Sequence, residues 1–135
     1  IFIDDYAHHP KELESLIESV RELYPGRLIT TVFQPHLFSR TRDLAAEFAA
    51  ALDLSDKIYL LPIYPARELP VDGVSSELVL QQMQHANKQL ITKEQLLSRL
   101  PTERPDVLLT VGAGDIDRLV PQLKAALEKD EATKV

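Results

Sequence analysis

Apolar positions recur along this chain with two spacings that alternate. Short runs of β-branched residues and leucine are typical of buried strands, and longer stretches with an apolar residue every three or four positions are typical of amphipathic helices. The predicted strands cover residues 1–3, 27–33, 57–61, 89–91 and 106–111. Strands that alternate with helices predict an α/β fold, a Rossmann-like three-layer domain with a mostly parallel sheet of five or six strands and helices on both faces.

Residue types at the ends of the apolar stretches mark the helix boundaries. Pro10 can stand in the first turn of a helix, where an N–H would have no partner, and Pro25-Gly26 ends that helix. Thr92 and Gln95 have the spacing of a capping box. The predicted helices cover residues 10–24, 41–52, 75–86, 92–100 and 116–128. The loop at residues 62–74 carries three prolines and one glycine, and its length suggests a functional loop.

Composition and charge narrow the function classes. At 135 residues, with 44% hydrophobic and 27% charged residues, the chain should form one globular domain. Its net charge of -6 and lack of a Lys/Arg cluster argue against a nucleic-acid partner. No apolar run approaches the roughly 20 residues that cross a bilayer, so we expect no membrane partner. The chain has no cysteine, which fits a reducing compartment, and we expect a cytoplasmic location. Its start inside an apolar run suggests a piece of a longer protein.

Three polar segments follow predicted strands, at residues 4–10, 34–42 and 112–115. The carboxyl ends of parallel strands share one edge of a sheet, and ligands of open α/β sheets bind in the crevice beyond that edge. We therefore expect the three segments to converge on one site.

The first segment holds two carboxylates, a phenol and two imidazoles. Asp5 and the histidines could bind a metal, act as acid and base, or contact a ribose and a base. Alternatively, Asp5 caps the first helix and His8 and His9 are solvated, which the spacing alone favours. A metal site is the weakest option because the chain has no HExxH motif and no cysteine.

The second segment places Arg40 and Arg42 near a helix start. The helix macrodipole favours anions there, and a guanidinium can hold a carboxylate with two parallel hydrogen bonds. This implies an anionic substrate group. The alternative is a pair of surface arginines, and Arg42, next to Asp43, fits that alternative better than Arg40 does. Ser39 or Thr41 would serve as the helix cap.

The turn at residues 112–116 is a weak match to a phosphate loop, because it is neither GxGxxG nor a Walker motif. A tight strand-to-helix turn with Asp115 as the cap is the more ordinary interpretation. In the loop after the third strand, Arg67 either faces a ligand or lies in a segment that prolines make rigid.

Taken together, the segments resemble the carboxyl-terminal domain of the Mur ligase family, and within it the UDP-N-acetylmuramate:L-alanine ligases of peptidoglycan synthesis. The resemblance rests on four motifs in order, namely Asp4-Asp5-Tyr6-Ala7-His8-His9-Pro10, Phe33-Gln34-Pro35-His36 with Ser39-Arg40-Thr41-Arg42, Tyr64-Pro65-Ala66-Arg67-Glu68 and Gly112-Ala113-Gly114-Asp115-Ile116. It implies that residues 1–135 are the last of three domains, of which the first holds the UDP-sugar and the central one carries the ATP P-loop.

The resemblance also implies a reaction. ATP phosphorylates the lactyl carboxylate of UDP-N-acetylmuramate, and the amine of L-alanine attacks the acyl phosphate to give an amide, ADP and phosphate. The last domain binds the amino acid and closes the ATP site, while Mg2+ is bound mainly by the central domain. The last domain alone lacks the P-loop and is expected to be inactive.

The resemblance further implies roles for single residues. Asp5 would accept hydrogen bonds from the ATP ribose, and Tyr6 would lie against the adenine. His8, the catalytic candidate, would lie near the nucleotide or the reaction centre. Arg40, helped by His36, would hold the carboxylate of the incoming alanine. Further candidates at the site are His9, Arg42 and Arg67, and no residue is assigned to a metal.

The chain departs from the family pattern at two positions. Leu37 stands where many members have arginine, and Phe38 where tyrosine is frequent. Arg40 must then do more of the carboxylate binding, unless Arg42 or Arg67 compensates.

Two alternatives stay open. The recycling ligase that attaches a murein tripeptide to the same UDP-sugar has an acid-proline-arginine motif in place of Gln34-Pro35-His36, which favours the alanine ligase. A noncatalytic Rossmann-like binding module is also compatible with the topology, because fold does not determine function.

Overall fold

The computed structural model describes residues 1–85 and 87–132. In this part of the chain the strands are β1 (Phe2–Asp5), β2 (Ile29–Phe33), β3 (Lys57–Leu60), β4 (Lys88–Leu90) and β5 (Val107–Val111). The helices are α1 (Pro10–Leu23), α2 (Phe38–Leu52), α3 (Glu77–Gln82), α4 (Lys93–Glu103) and α5 (Ile116–Ala132). All neighbouring strands pair in parallel, in the order β1-β5-β2-β3-β4. The predicted α/β fold is confirmed.

Helices cover both faces of the sheet, as predicted. Because side chains alternate along a strand, Phe33 and Leu109 face α1, α2 and α3, while Val32 and Leu108 face α4 and α5. Every residue of β2 and β5 is buried. Burial on both faces is why these two strands read as continuous apolar or threonine-containing runs without polar alternation.

The starts of α1 and α4 show how local sequence sets the helices. His9 is the N-cap of α1, and its Nδ1 accepts a hydrogen bond from the Lys11 amide at 3.3 Å. The prediction of Asp5 as this cap is wrong, because β1 continues through Asp5 and leaves it too early in the chain. The capping box of α4 is confirmed: the side chains of Thr92 and Gln95 each accept the other's backbone N–H, at 3.1 and 3.0 Å.

Helices α2 and α3 differ from their predicted bounds. Helix α2 begins at Phe38, earlier than predicted, after the N-cap residue Leu37, which has φ 70° and gives no side-chain cap. Helix α3 ends at Gln82, and Ala86, its predicted end, lies outside the described residues. No helix in the described part of the chain is long and apolar enough to span a membrane.

The topology creates a crevice at the carboxyl ends of the strands. After β2 the chain enters α2 on one face, and after the adjacent β5 it enters α5 on the other face. The two connections therefore diverge, and a crevice opens between them, which is the usual ligand position in open α/β sheets.

Candidate functional site

The structure brings the three polar segments together at this crevice. Val111, the last residue of β5, is in register with both Asp5 at the end of β1 and Phe33 at the end of β2. Two further bonds join the segments just beyond: the Gly112 amide donates to the Asp5 carbonyl at 3.2 Å, and the Gln34 amide donates to the Val111 carbonyl at 3.1 Å. The convergence expected from parallel topology is present.

A fourth segment, which follows β3, joins the same edge. The Tyr64 amide donates to the Pro35 carbonyl at 2.8 Å, and the Leu37 amide donates to the Tyr64 carbonyl at 2.9 Å. These bonds form a short parallel bridge between His36 and Tyr64. The loop after β3 is therefore part of the site wall.

Four aromatic rings form a row across the strand ends. The ring centroids of Tyr6 and His8 lie 5.5 Å apart, those of His8 and His36 6.3 Å, and those of His36 and Tyr64 5.8 Å. The last pair is stacked, with 17° between planes. Tyr6 is 70% exposed at one end of the row, so its ring offers a free face to a flat ligand.

His36 is a neutral imidazole with an unused polar atom. Burial, then the positive charge of Arg40 and the neighbouring His8 lower the pKa of His36 below its ordinary value, against an opposing contribution from Glu68. Its Nδ1 is buried and has no hydrogen-bond partner among the described residues. Buried polar atoms are nearly always hydrogen bonded, so this nitrogen is suited to a ligand.

Arg40 and Arg42 have different surroundings. The Arg40 side chain is partly buried, and within the described chain no hydrogen bond or ion pair involves its guanidinium. Arg42 is exposed and donates to Asp43 Oδ1 at 3.0 Å. Arg42 is thus the surface arginine of the alternative interpretation, while Arg40 is a cation beside His36 without a partner among the residues that the structure describes. A partly desolvated charge without a partner suits an anionic ligand.

The first turn of α2 is occupied by a carboxylate from the chain itself. Glu68 Oε1 accepts the Ser39 amide at 3.1 Å, and Oε2 accepts the Ser39 hydroxyl at 2.5 Å. These bonds lower the pKa of Glu68. The prediction of Ser39 or Thr41 as the α2 cap is wrong: Ser39 bonds Glu68, and the Thr41 hydroxyl donates back to the Leu37 carbonyl at 2.8 Å.

A buried glutamine joins the crevice walls. Gln34 Oε1 accepts the Ile116 amide at 2.9 Å, and its Nε2 donates to Asp115 Oδ1 at 2.7 Å. Lys93 donates to the other oxygen of Asp115. Burial opposes ionisation of Asp115, but the bonds from Lys93 and Gln34 prevail and lower its pKa. Asp115, expected to cap α5, stands directly before that helix, and its side-chain bonds tie the end of β2 and the start of α4 to the turn before α5.

The glycine-rich turn is explained by close packing. A Cβ atom at Gly114 would lie 2.6 Å from the Tyr64 side chain and 2.7 Å from Gln34 Oε1. Only glycine allows this approach, so the turn needs no phosphate ligand to account for its composition.

The remaining candidates lie around the row of rings. Asp5 Oδ1 accepts the Ala7 amide at 2.9 Å, which leaves Oδ2 for another donor. His8 Nδ1 lies 3.3 Å from the Tyr6 carbonyl oxygen and 3.8 Å from Glu12 Oε1. His9 acts as the α1 cap, and Arg67 is exposed on the loop after β3.

Fold and site together define a Rossmann-like domain with a polar crevice at its strand ends. A family model described as "Mur ligase, glutamate ligase domain" matches residues 1–114. The chain belongs to this family.

Individual relatives are consistent with that membership. The chain is 54% identical over 129 residues to the UDP-N-acetylmuramate--L-alanine ligase of Porphyromonas gingivalis, a match that covers 95% of this chain and 28% of that protein. The chain thus spans less than a third of the length of the curated relatives that it matches.

Solved structures share the fold. A murein peptide ligase from Psychrobacter arcticus has a TM-score of 0.73 at 16% identity, covering 93% of this chain and 27% of that one. The UDP-N-acetylmuramate-alanine ligase of Thermotoga maritima has a TM-score of 0.63 at 24% identity, covering 98% and 27%.

Proposed function

We propose that this chain is the carboxyl-terminal domain of a three-domain, ATP-dependent ligase that joins L-alanine to UDP-N-acetylmuramate. The observation that carries the proposal is the partly buried guanidinium of Arg40 beside the neutral His36, where neither that guanidinium nor His36 Nδ1 has a partner among the described residues. The relative at 54% identity, named as an L-alanine ligase, supports the choice of substrate.

In the proposed reaction this domain holds the acceptor amino acid. Arg40 binds the carboxylate of L-alanine through two parallel N–H donors. His36, being neutral, adds a hydrogen bond without adding a second positive charge. The carboxylate is thus fixed while the amine remains free to attack the acyl phosphate formed from ATP and the lactyl carboxylate of UDP-N-acetylmuramate.

The first segment forms the nucleotide side of the site in this proposal. Asp5 Oδ2 accepts from a ribose hydroxyl, and the exposed face of Tyr6 stacks on the adenine. His8 lies between these residues and His36 in the row of rings, so it adjoins both the nucleotide and the amino acid. This position supports His8 as the catalytic candidate.

Other parts of the enzyme complete the site. We propose that the central domain holds most of the Mg2+ ligands, because this ion is usually bound through one or two carboxylates together with the phosphates of the nucleotide, and we assign no Mg2+ ligand to this chain. The central domain would also supply the P-loop, and the domain alone should therefore be inactive. We also propose a cytoplasmic location, because the proposed reaction consumes ATP.

A product assay tests this proposal against the recycling ligase. Full-length protein is incubated with ATP, UDP-N-acetylmuramate and either L-alanine or the murein tripeptide, and the products are identified by mass. We expect UDP-N-acetylmuramoyl-L-alanine with one ADP per amide formed. Ligation of the tripeptide in preference to alanine would establish the alternative enzyme, and binding without ADP release would support the noncatalytic module.

The lowered pKa of His36 predicts a pH dependence of stability. The folded protein resists protonating His36, whereas the unfolded chain binds that proton near pH 6.5. The contribution is therefore fully present above that pH and is lost as pH falls toward the folded-state pKa. Urea unfolding between about pH 7 and pH 5 should show a shallower decline for His36→Gln than for the unaltered chain. Equal slopes would mean that His36 is not perturbed.

A further inference from the structure

The loop after β3 is attached to the α2 start at two points. Tyr64 is attached through its backbone bonds to Pro35 and Leu37, and Glu68 through both carboxylate oxygens to Ser39. Together the two attachments extend from Pro35 to Ser39 in the second segment. The loop therefore encloses the short stretch that carries His36 and leads directly into Arg40.

The backbone between His36 and Ser39 is strained and has no cap from its own side chains, so contacts from another segment must stabilise it. Leu37 has φ 70°, a conformation that costs roughly 1–3 kcal/mol for a residue other than glycine. It is the N-cap residue of α2 but supplies no side-chain cap. Glu68 fills that role, because its carboxylate accepts the Ser39 amide, which has no partner within the first helical turn, and its charge complements the helix macrodipole.

The same contact limits where a substrate carboxylate can bind. A helix start with unsatisfied amides attracts anions, but in this chain Glu68 already occupies the Ser39 amide. With that amide occupied, we expect the Arg40 side chain to be the main group at this helix start that holds an incoming carboxylate.

We propose that Glu68 is a positioning residue for the acceptor amino acid, which acts as a cap for α2 from another loop and holds Arg40 and His36 in the geometry that binds a carboxylate. This rests on the proposed function. Glu68 touches neither the substrate nor the reacting atoms in this account. Its effect on the substrate passes through Ser39 and the helix backbone.

Kinetics of the full-length protein with varied L-alanine provide the test. Glu68→Ala should raise the alanine KM about tenfold, the loss expected for one charged hydrogen-bonding group, with kcat changed less than about twofold and the ATP KM unchanged. Glu68→Gln can still accept the Ser39 amide and donate to its hydroxyl, so it should restore the alanine KM to within about threefold. Glu47→Ala removes an exposed carboxylate from the same helix and should change neither constant.

A double variant asks whether Glu68 acts through Ser39. Ser39→Ala combined with Glu68→Ala should raise the alanine KM no further than Glu68→Ala alone, because Glu68→Ala already removes the acceptor of the Ser39 hydroxyl. Additive effects would overturn the proposed route. An alanine KM that is unchanged or lower in Glu68→Ala, or equal losses for alanine and ATP together with a lowered Tm, would overturn the positioning role.

Failure of the proposed function gives a different result. If the full-length protein ligates the tripeptide and not alanine, the same variants are assayed with the tripeptide, and a tenfold rise in its KM for Glu68→Ala would uphold the role of Glu68. Alanine ligation that is indifferent to Glu68 would refute this inference alone.

Discussion

Replacing Arg40 with alanine in the full-length protein should raise the KM for L-alanine by about 30-fold to several thousand-fold. That range corresponds to the roughly 2–5 kcal/mol lost when one partner of a buried charged pair is removed. The effect should fall mainly on KM, since the carboxylate is bound equally before and during the reaction. Initial rates at saturating ATP and UDP-N-acetylmuramate measure it.

Arg42 provides the matched control. It has the same chemistry and lies on the same helix turn, but its guanidinium is exposed and already paired with Asp43. Exposed ion pairs contribute little, so Arg42→Ala should leave the alanine KM within about twofold. Similar rises for both variants would show a general effect of surface charge, and an unchanged KM in Arg40→Ala would place the carboxylate elsewhere.

Replacing Gly114 with alanine should lower the free energy of unfolding by about 3 kcal/mol, near the upper end for overpacked sites. The added Cβ would lie 2.6 Å from Tyr64 and 2.7 Å from Gln34 Oε1. Either the stacked Tyr64 ring must leave His36, or Gln34 must give up its bond to the Ile116 amide. Urea denaturation of this chain measures the loss.

Gly73→Ala is the control that distinguishes the steric clash expected at Gly114 from the general cost of replacing a glycine. Its φ is +75°, and a Cβ there would meet no atom within 4 Å. Gly73→Ala should therefore cost only the left-handed backbone penalty, about 1 kcal/mol. If Gly114→Ala is no worse than Gly73→Ala, the turn is looser than the structure indicates and packing does not explain its glycine.

The fold was largely predictable because its signals are local. Strands β2 and β5 are buried on both faces and read as apolar runs, and the α4 capping box lies within four consecutive residues. The end of β1 was not predictable. Asp4 and Asp5 continue the strand because their backbones pair with β5, and as β1 is an edge strand their carboxylates still reach solvent. Propensity disfavours aspartate in strands, and only the tertiary pairing overrides it.

The site was predictable as a location but not as a set of contacts. Convergence of the polar segments follows from parallel topology alone. The bonds of Gln34 to Asp115 and of Ser39 to Glu68 join residues 81 and 29 positions apart, and sequence spacing carries no information about them. Glu68 belonged to a recognised motif, yet its role depends on how the loop folds back onto α2.

The contrast between Arg40 and Arg42 was also predictable only in part. Asp43 next to Arg42 is visible in the sequence, and the pairing that it suggested is present. The lack of a partner for Arg40 among the described residues is a property of the assembled crevice.

The central claim, that Arg40 binds the carboxylate of the acceptor amino acid, is tested most directly by comparing L-alanine with L-alaninamide. The amide keeps the attacking amine and loses the negative charge. In the full-length protein kcat/KM should favour alanine by about 30-fold or more, and in Arg40→Ala that preference should fall close to one. An equal preference in both proteins would contradict the account, because the carboxylate would then be recognised by a group other than Arg40.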